Sequence, residues 1–207
     1  MKLIIINNNP MGQNVYLYFD EAAEEGVLID PGHNTDEILS AINKNNIRIK
    51  GILLTHGHYD HISAVNDLKD QTQADVCCHR LEKPMLEDPA INLSVRTKKV
   101  INVTPDKLFD DGDVFSFGDI SLMVIHTPGH TSGGLCYYDE KNAIIFTGDT
   151  LFKESVGRTD LPGGNSQELI NNIKNRLFRL PEIVTVYPGH GESSSIGYEV
   201  ELNPFVR

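Results

Sequence analysis

Apolar positions along the chain fall into short runs with period two or no period at all, separated by Gly, Pro, Asn and Asp clusters. Near the N-terminus, Lys2–Asn7, Asn14–Phe19 and Gly26–Asp30 read as strands, and Asp30-Pro31-Gly32 closes the third with turn chemistry. Thr35 is placed to cap a helix running to about Asn45, with Ile38, Leu39 and Ile42 at helical spacing. Ile49–Thr55 is mostly apolar and reads as a buried strand. A helix carrying Ala64, Val65 and Leu68 comes soon after it. Between Asp75 and Pro105 the pattern has no clear period, although Cys77 and Cys78 sit in a strand-like stretch. Strands return at Val114–Phe117, Ile120–Ile125, Gly134–Tyr138 and Ala143–Phe146. Gln167–Leu180 reads as a helix with Leu169, Ile170, Ile173, Leu177 and Leu180 on one face, and Ile183–Tyr187 as a last strand. This order suits two packed sheets flanked by helices better than a doubly wound parallel sheet.

Composition narrows the picture. A chain of 207 residues fits a single domain spanning 1–207. With 40% hydrophobic and 23% charged residues it can build a core. The formal charge of -11 would repel a polyanion, and no Lys/Arg stripe is present, so a nucleic-acid partner is disfavoured. Metal-bound carboxylates would compensate part of that charge. Cys77, Cys78 and Cys136 are odd in number, which argues for a reducing compartment and against a disulfide framework. The apolar run Leu3–Ile6 is too short for a signal-peptide core of about 7–15 residues. No stretch approaches the roughly 18 apolar residues of a membrane span, so a cytoplasmic protein is expected.

The chemistry concentrates at turns that follow strands. His56-Gly57-His58-Tyr59-Asp60-His61 follows the buried strand directly and holds four potential ligands. Residues i and i+2 at a strand end share a face, so His56 and His58 can converge on one ion while Asp60 and His61 point to a second. Thr127–Gly134 places His130 in a tight turn, Phe146-Thr147-Gly148-Asp149 ends a strand in a carboxylate, and Tyr187-Pro188-Gly189-His190 ends one in an imidazole. Each of these three is weak alone; with the first cluster they form two ligand sets. One metal takes His56, His58 and His130; the other takes Asp60, His61 and His190; Asp149 bridges them with its two oxygens. Imidazole and carboxylate suit zinc, and also iron or manganese, so two divalent ions, zinc by preference, are expected.

In this order, the His-x-His-x-Asp-His cluster, the later Gly-His turn, the Gly-Asp and the C-terminal Gly-His resemble the metallo-β-lactamase superfamily. Thr127–Gly133, Thr147–Thr150, Gly157-Arg158-Thr159-Asp160 and Pro188–Gly191 are most similar to its glyoxalase II-like hydrolases, particularly the small single-domain kind. The resemblance spans nearly the whole chain. It implies a four-layer αββα sandwich of two mixed sheets, with metals at one edge, and agrees with the ligand sets above. Full-length glyoxalase II enzymes carry a further helical region that supplies much of the glutathione site, whereas Arg207 lies seventeen residues past His190. The expected substrate is therefore a small acyl thioester, either S-lactoylglutathione or a related thiol conjugate.

In such a centre two metals would hold a hydroxide at neutral pH and polarise the carbonyl. Asp60 and Asp149 are the expected catalytic carboxylates, with Asp60 orienting the hydroxide. Arg158 and Asp160 are candidates for touching substrate, with a loop-stabilising network at least as plausible. A structural role is favoured for His33, and local packing or bonding for His79 and His126. Tyr59 and Phe152 are read as core. Sulfur dioxygenases of the same superfamily share the Gly-Arg-Thr-Asp loop, and that resemblance implies an alternative: persulfide oxidation at a single iron held by His56, His130 and Asp149.

Overall fold

The computed structural model describes residues 1–7 and 11–206. Two six-stranded sheets dominate it. The first runs in order β1 (Lys2–Ile6), β2 (Val15–Asp20), β3 (Glu25–Ile29), β4 (Arg48–Leu53), β5 (Asp75–His79) and β6 (Lys107–Phe109). Its first three strands pair antiparallel and the remainder parallel. The second comprises β7 (Val114–Phe117), β8 (Ile120–His126), β9 (Leu135–Asp139), β10 (Ile144–Gly148), β13 (Thr185–Pro188) and β14 (Ser194–Ser195). There β10 and β13 are parallel, and every other pair is antiparallel. A small hairpin, β11 (Leu151–Phe152) and β12 (Ser155–Val156), follows β10.

Alternation along the strands builds the layers. On β2, Tyr16 and Tyr18 point between the sheets, where they meet Leu122, Tyr137 and Phe146. Val15, Leu17 and Phe19 point the other way, onto Ile38 and Ile42 of α1 (Thr35–Lys44) and Val65 and Leu68 of α3 (Val65–Thr72). Both faces of β2 are buried, which is why its sequence is apolar without a break. On the outer face of the second sheet, Cys136, Ile145 and Val186 pack against Leu169 and Ile173 of α5 (Ser166–Asn175). The result is the αββα sandwich. No helix among the described residues is long and apolar enough to cross a membrane.

The structure amends the sequence reading at several places. Thr35 lies inside the first turn of α1, and Asn34 takes the cap position at φ 61, a left-handed conformation that Asn tolerates. The helix expected through Leu180 ends at Asn175, and Leu177–Arg179 continues as a 3-10 turn. The break falls at Arg176, whose guanidinium reaches the His126 carbonyl and binds Asp111 at 2.7 and 2.8 Å. Leu177 still packs into the same core, so the apolar period runs on through a change of helix type. The stretch after Asp75 holds β5, a 3-10 turn at Arg80–Glu82, α4 (Lys83–Glu87) and a second 3-10 turn at Ser94–Arg96. These pieces are too short to display a period. Between β4 and α3 lies the one-turn helix α2 (Tyr59–Ile62), and α6 (Ile196–Leu202) closes the chain.

Candidate metal centre

The carboxyl ends of β3, β4, β8, β10 and β13 meet at one edge of the sandwich and deliver the polar residues the sequence singled out. His56 and His58 follow β4, α2 carries Asp60 and His61, His130 sits in the turn after β8, Asp149 follows β10 and His190 follows β13. Two groups converge there: His56, His58 and His130, then Asp60, His61 and His190. His58 Nδ1 stands 3.0 Å from His130 Nε2, and His61 Nε2 stands 3.3 Å from His190 Nε2. Two imidazoles bound to one zinc at about 2.0–2.1 Å in a tetrahedron have nitrogens about 3.3 Å apart, so both spacings suit a shared cation.

Asp149 lies between the groups. Its Oδ2 is 3.6 Å from His130 Nε2, and its Oδ1 is 3.3 Å from His61 Nε2 and 3.9 Å from His190 Nε2. One oxygen thus faces each group. Asp60 Oδ2 lies 3.2 Å from His190 Nε2. Buried His56 Nε2 and Asp149 Oδ1 have no hydrogen-bond partner, while His58 faces His130 through Nδ1. Leaving a buried polar atom unpaired costs about 1–3 kcal/mol. Unpaired donor atoms in so small a volume are what a cation site requires, and they fit divalent metal.

Side chains and carbonyls behind the centre orient the rings. His56 Nδ1 meets Thr55 Oγ1 at 3.1 Å, His130 Nδ1 donates to the Arg158 carbonyl at 2.7 Å, and His190 Nδ1 donates to the Met11 carbonyl at 3.2 Å. In each case the hydrogen bond on Nδ1 leaves Nε2 for the centre. Asp30, read from sequence only as a turn residue, is central to this support. Buried at the end of β3, it accepts from Thr55 N at 2.7 Å, Thr55 Oγ1 at 2.5 Å and His61 Nδ1 at 3.0 Å. Asp30 also lies within ligand range of His56 and His61. Both its oxygens are already engaged, which makes it a support. Gly189 is required at the far wall, since a Cβ there would fall 2.2 Å from Asp149 Oδ1 and 2.7 Å from His61 Cε1.

The two groups differ in charge. Burial, aided by neighbouring imidazoles, holds His56 well below the ordinary histidine range and brings His58 down to about 4. Burial would lower His61 as well, but Asp149, Asp60 and Asp30 together outweigh it and hold His61 well above its ordinary value. His190 is raised because its hydrogen bond to Asp60 and the charge of Asp149 outweigh burial. Burial opposes ionisation of Asp60 and Asp149, yet the surrounding imidazoles keep both below the ordinary carboxylate range.

The remaining candidates take lesser places. The Arg158 side chain forms a two-bond pair with Asp160 at 2.7 and 2.8 Å on the surface, and it is the Arg158 carbonyl that touches His130. His33 lines a cavity of about 360 Å³ beside Tyr59, Lys98 and Lys99. His79 and His126 stack with centroids 3.9 Å apart, which is local packing as expected. Tyr59 is half-buried and packs against the core under the first sheet, while its hydroxyl lies 3.8 Å from Met11 Sδ. Phe152 sits edge-on to His190, with ring centroids 6.4 Å apart. Cys77, Cys78 and Cys136 are free and buried.

The chain is similar to known proteins in sequence and in fold. The sequence model of the metallo-β-lactamase superfamily matches residues 8–190. A probable metallo-hydrolase of Streptococcus pyogenes is 37% identical, covering 99% of this chain and 90% of that protein. The hydroxyacylglutathione hydrolase GloC of Haemophilus influenzae is 30% identical, covering 100% and 98%. Among solved structures, the BLEG-1 B3 metallo-β-lactamase superposes with a TM-score of 0.93 at 36% identity, covering 99% of both chains. TTHA1623, solved in a di-iron-bound form, scores 0.85 at 36% identity over 98% of this chain and 99% of that one. ETHE1 from Myxococcus xanthus scores 0.80 at 31% identity over 99% and 84%. The chain belongs to the metallo-β-lactamase superfamily and is a metallo-hydrolase, of a superfamily that binds divalent metals.

Proposed function

We propose that this protein is a thioesterase that hydrolyses a small acyl thioester, S-lactoylglutathione or a related thiol conjugate, at a centre of two divalent ions, zinc by preference. The observation that carries the reading is the pair of complete ligand groups with one oxygen of Asp149 facing each. His56, His58 and His130 would hold one ion, Asp60, His61 and His190 would hold the other, and Asp149 would serve both. Divalent ions bound there would supply acidified water and polarisation of the substrate carbonyl. Asp60, kept ionised by its imidazole neighbours, accepts a proton from the attacking water and orients it. Asp30 and the Arg158 and Met11 carbonyls fix the rings so that the donors need not reorganise. A thiolate, with a pKa near about 8.5, departs without a dedicated acid, which matches a site whose polar groups are all committed to ligation. The 30% identity to a hydroxyacylglutathione hydrolase over essentially both whole chains supports the substrate class. The free, buried cysteines suit a cytoplasmic setting.

The second reading is persulfide oxidation at one iron held by His56, His130 and Asp149. The likeness to ETHE1 fits it too. It leaves Asp60, His61 and His190 without a task although they converge as closely as the first group, so the two-metal hydrolase is preferred. Zinc-loaded protein should hydrolyse S-D-lactoylglutathione, and the His56→Ala, His58→Ala double variant should not. Oxygen uptake with glutathione persulfide by iron-loaded protein, in the absence of thioester hydrolysis, would favour the second reading instead.

A further inference from the structure

One buried carboxylate lies outside both ligand groups and bonds to positions that adjoin the imidazoles of the first group. Glu82 ends the 3-10 turn after β5 and is 1% exposed. Its Oε1 accepts from Gly57 N at 2.8 Å, and its Oε2 accepts from Thr131 Oγ1 at 3.0 Å and Gly133 N at 2.9 Å. Gly57 stands between His56 and His58, and Thr131 follows His130. A single side chain therefore joins two turns distant in sequence, and those turns carry all three imidazoles of the first group. Among the described residues no cation pairs with it. The contact is close on the Gly133 side, where a Cβ would fall 2.4 Å from Glu82 N and 2.5 Å from Glu82 Oε2. A second contact joins the same segments: His79, at the end of β5, stacks on His126, whose Nε2 meets the Ser132 carbonyl at 3.0 Å.

We infer that Glu82 is a positioning residue for the first ligand group, setting the separation of the His56–His58 turn from the His130 turn. The inference rests on the two-group reading of the centre. A carboxylate is the side chain these donors require, because both its oxygens accept and neither donates. Glutamine in its place would turn an NH₂ group towards either Gly57 N–H or the Thr131 and Gly133 donors, losing at least one bond and pushing that turn away. The second group has no contact with Glu82; its support comes from Asp30 and Met11. Glu82 should therefore govern one metal-binding step and spare the other.

The test is zinc titration of metal-free protein against a chromophoric chelator, which separates the two binding steps. Glu82→Gln should weaken one step by about tenfold or more, the size usual for residues that support a ligand, and change the other less than about twofold. The affected step must be the one removed by His58→Ala. Gly133→Ala, which forces the same contact apart from the opposite side, should reproduce the selective loss and serves if Glu82→Gln does not fold. Asp139→Asn is the control. Asp139 is also buried, accepting from Tyr18 Oη at 2.8 Å and from Asn142 N and Nδ2 at 2.9 and 2.8 Å, on a strand away from the centre, and its loss should move neither step. Equal weakening of both steps, no weakening, or the same loss in Asp139→Asn would overturn the inference. If His58→Ala itself removes no separable step, the two-group reading fails instead.

Discussion

His56 and His58 are held neutral by burial, whereas Asp60, His61 and His190 carry charge, although His61 is fully buried too. The supports differ in the same sense. Behind the first group stand a threonine hydroxyl, the Arg158 carbonyl and, through the turns, Glu82. Behind His61 stands a carboxylate, Asp30, directly on Nδ1. His56 and His58 present lone pairs already free to bind, while His61 and His190 must surrender protons to do so. Two ions in one centre would then be bound with unequal dependence on acid, and only Asp149 is common to both.

The largest effect should come from breaking that common element. Asp149→Ala should reduce metal content from two ions per chain to one at most and lower kcat/KM at least about a thousandfold, about 4 kcal/mol of transition-state stabilisation. An unchanged metal content, read by elemental analysis, would remove Asp149 from the bridging position. Next in size is Asp30→Asn, which weakens the grip on His61 Nδ1 and on Thr55. Metal affinity should fall about 10–100-fold, mainly at the second group, and equal loss at both groups would erase the asymmetry.

Acid should separate the halves further. A histidine held below its ordinary pKa stays neutral as pH falls from 7 to 5, so His56 and His58 keep their lone pairs across that window. A histidine held above it binds a proton there in the metal-free protein, so a metal at His61 and His190 competes with protons. Dialysis at stepwise lower pH should strip one ion before the other, and the survivor should be the ion lost in His58→Ala. Loss of both ions together would contradict the charge difference. The smallest effect is assigned to Arg158→Ala. Its guanidinium spends its bonds on Asp160 in solvent, so KM should move less than about threefold and metal content not at all. A larger rise in KM would give Arg158 a role in holding substrate.

What was legible in the sequence follows the reach of each signal. His56, His58, Asp60 and His61 lie within six residues after an apolar strand, so local spacing announces them. His130, Asp149 and His190 become legible only beside that cluster, because a lone His or Asp in a glycine turn is commonplace. Asp30 escaped, since Asp-Pro-Gly is sufficiently explained as a turn, and only the pairing of β3 with β4 brings its carboxylate to Thr55 and His61. Glu82 escaped for a different reason. It lies in a run of elements three to five residues long, where no period forms, and its partners are backbone amides distant in sequence. The long strands are legible because β2, β9 and β10 are buried on both faces and β8 alternates; the end of α5 is not, because Leu177 keeps the apolar spacing after the helix has changed type.

The most direct test of the account is the rate of S-D-lactoylglutathione hydrolysis as zinc is added stepwise to metal-free protein. For a two-metal thioesterase the rate climbs until two equivalents are bound and stays at background in the His56→Ala, His58→Ala variant. A rate that is complete at one equivalent, or absent with two ions bound for every thioester tried, would contradict it.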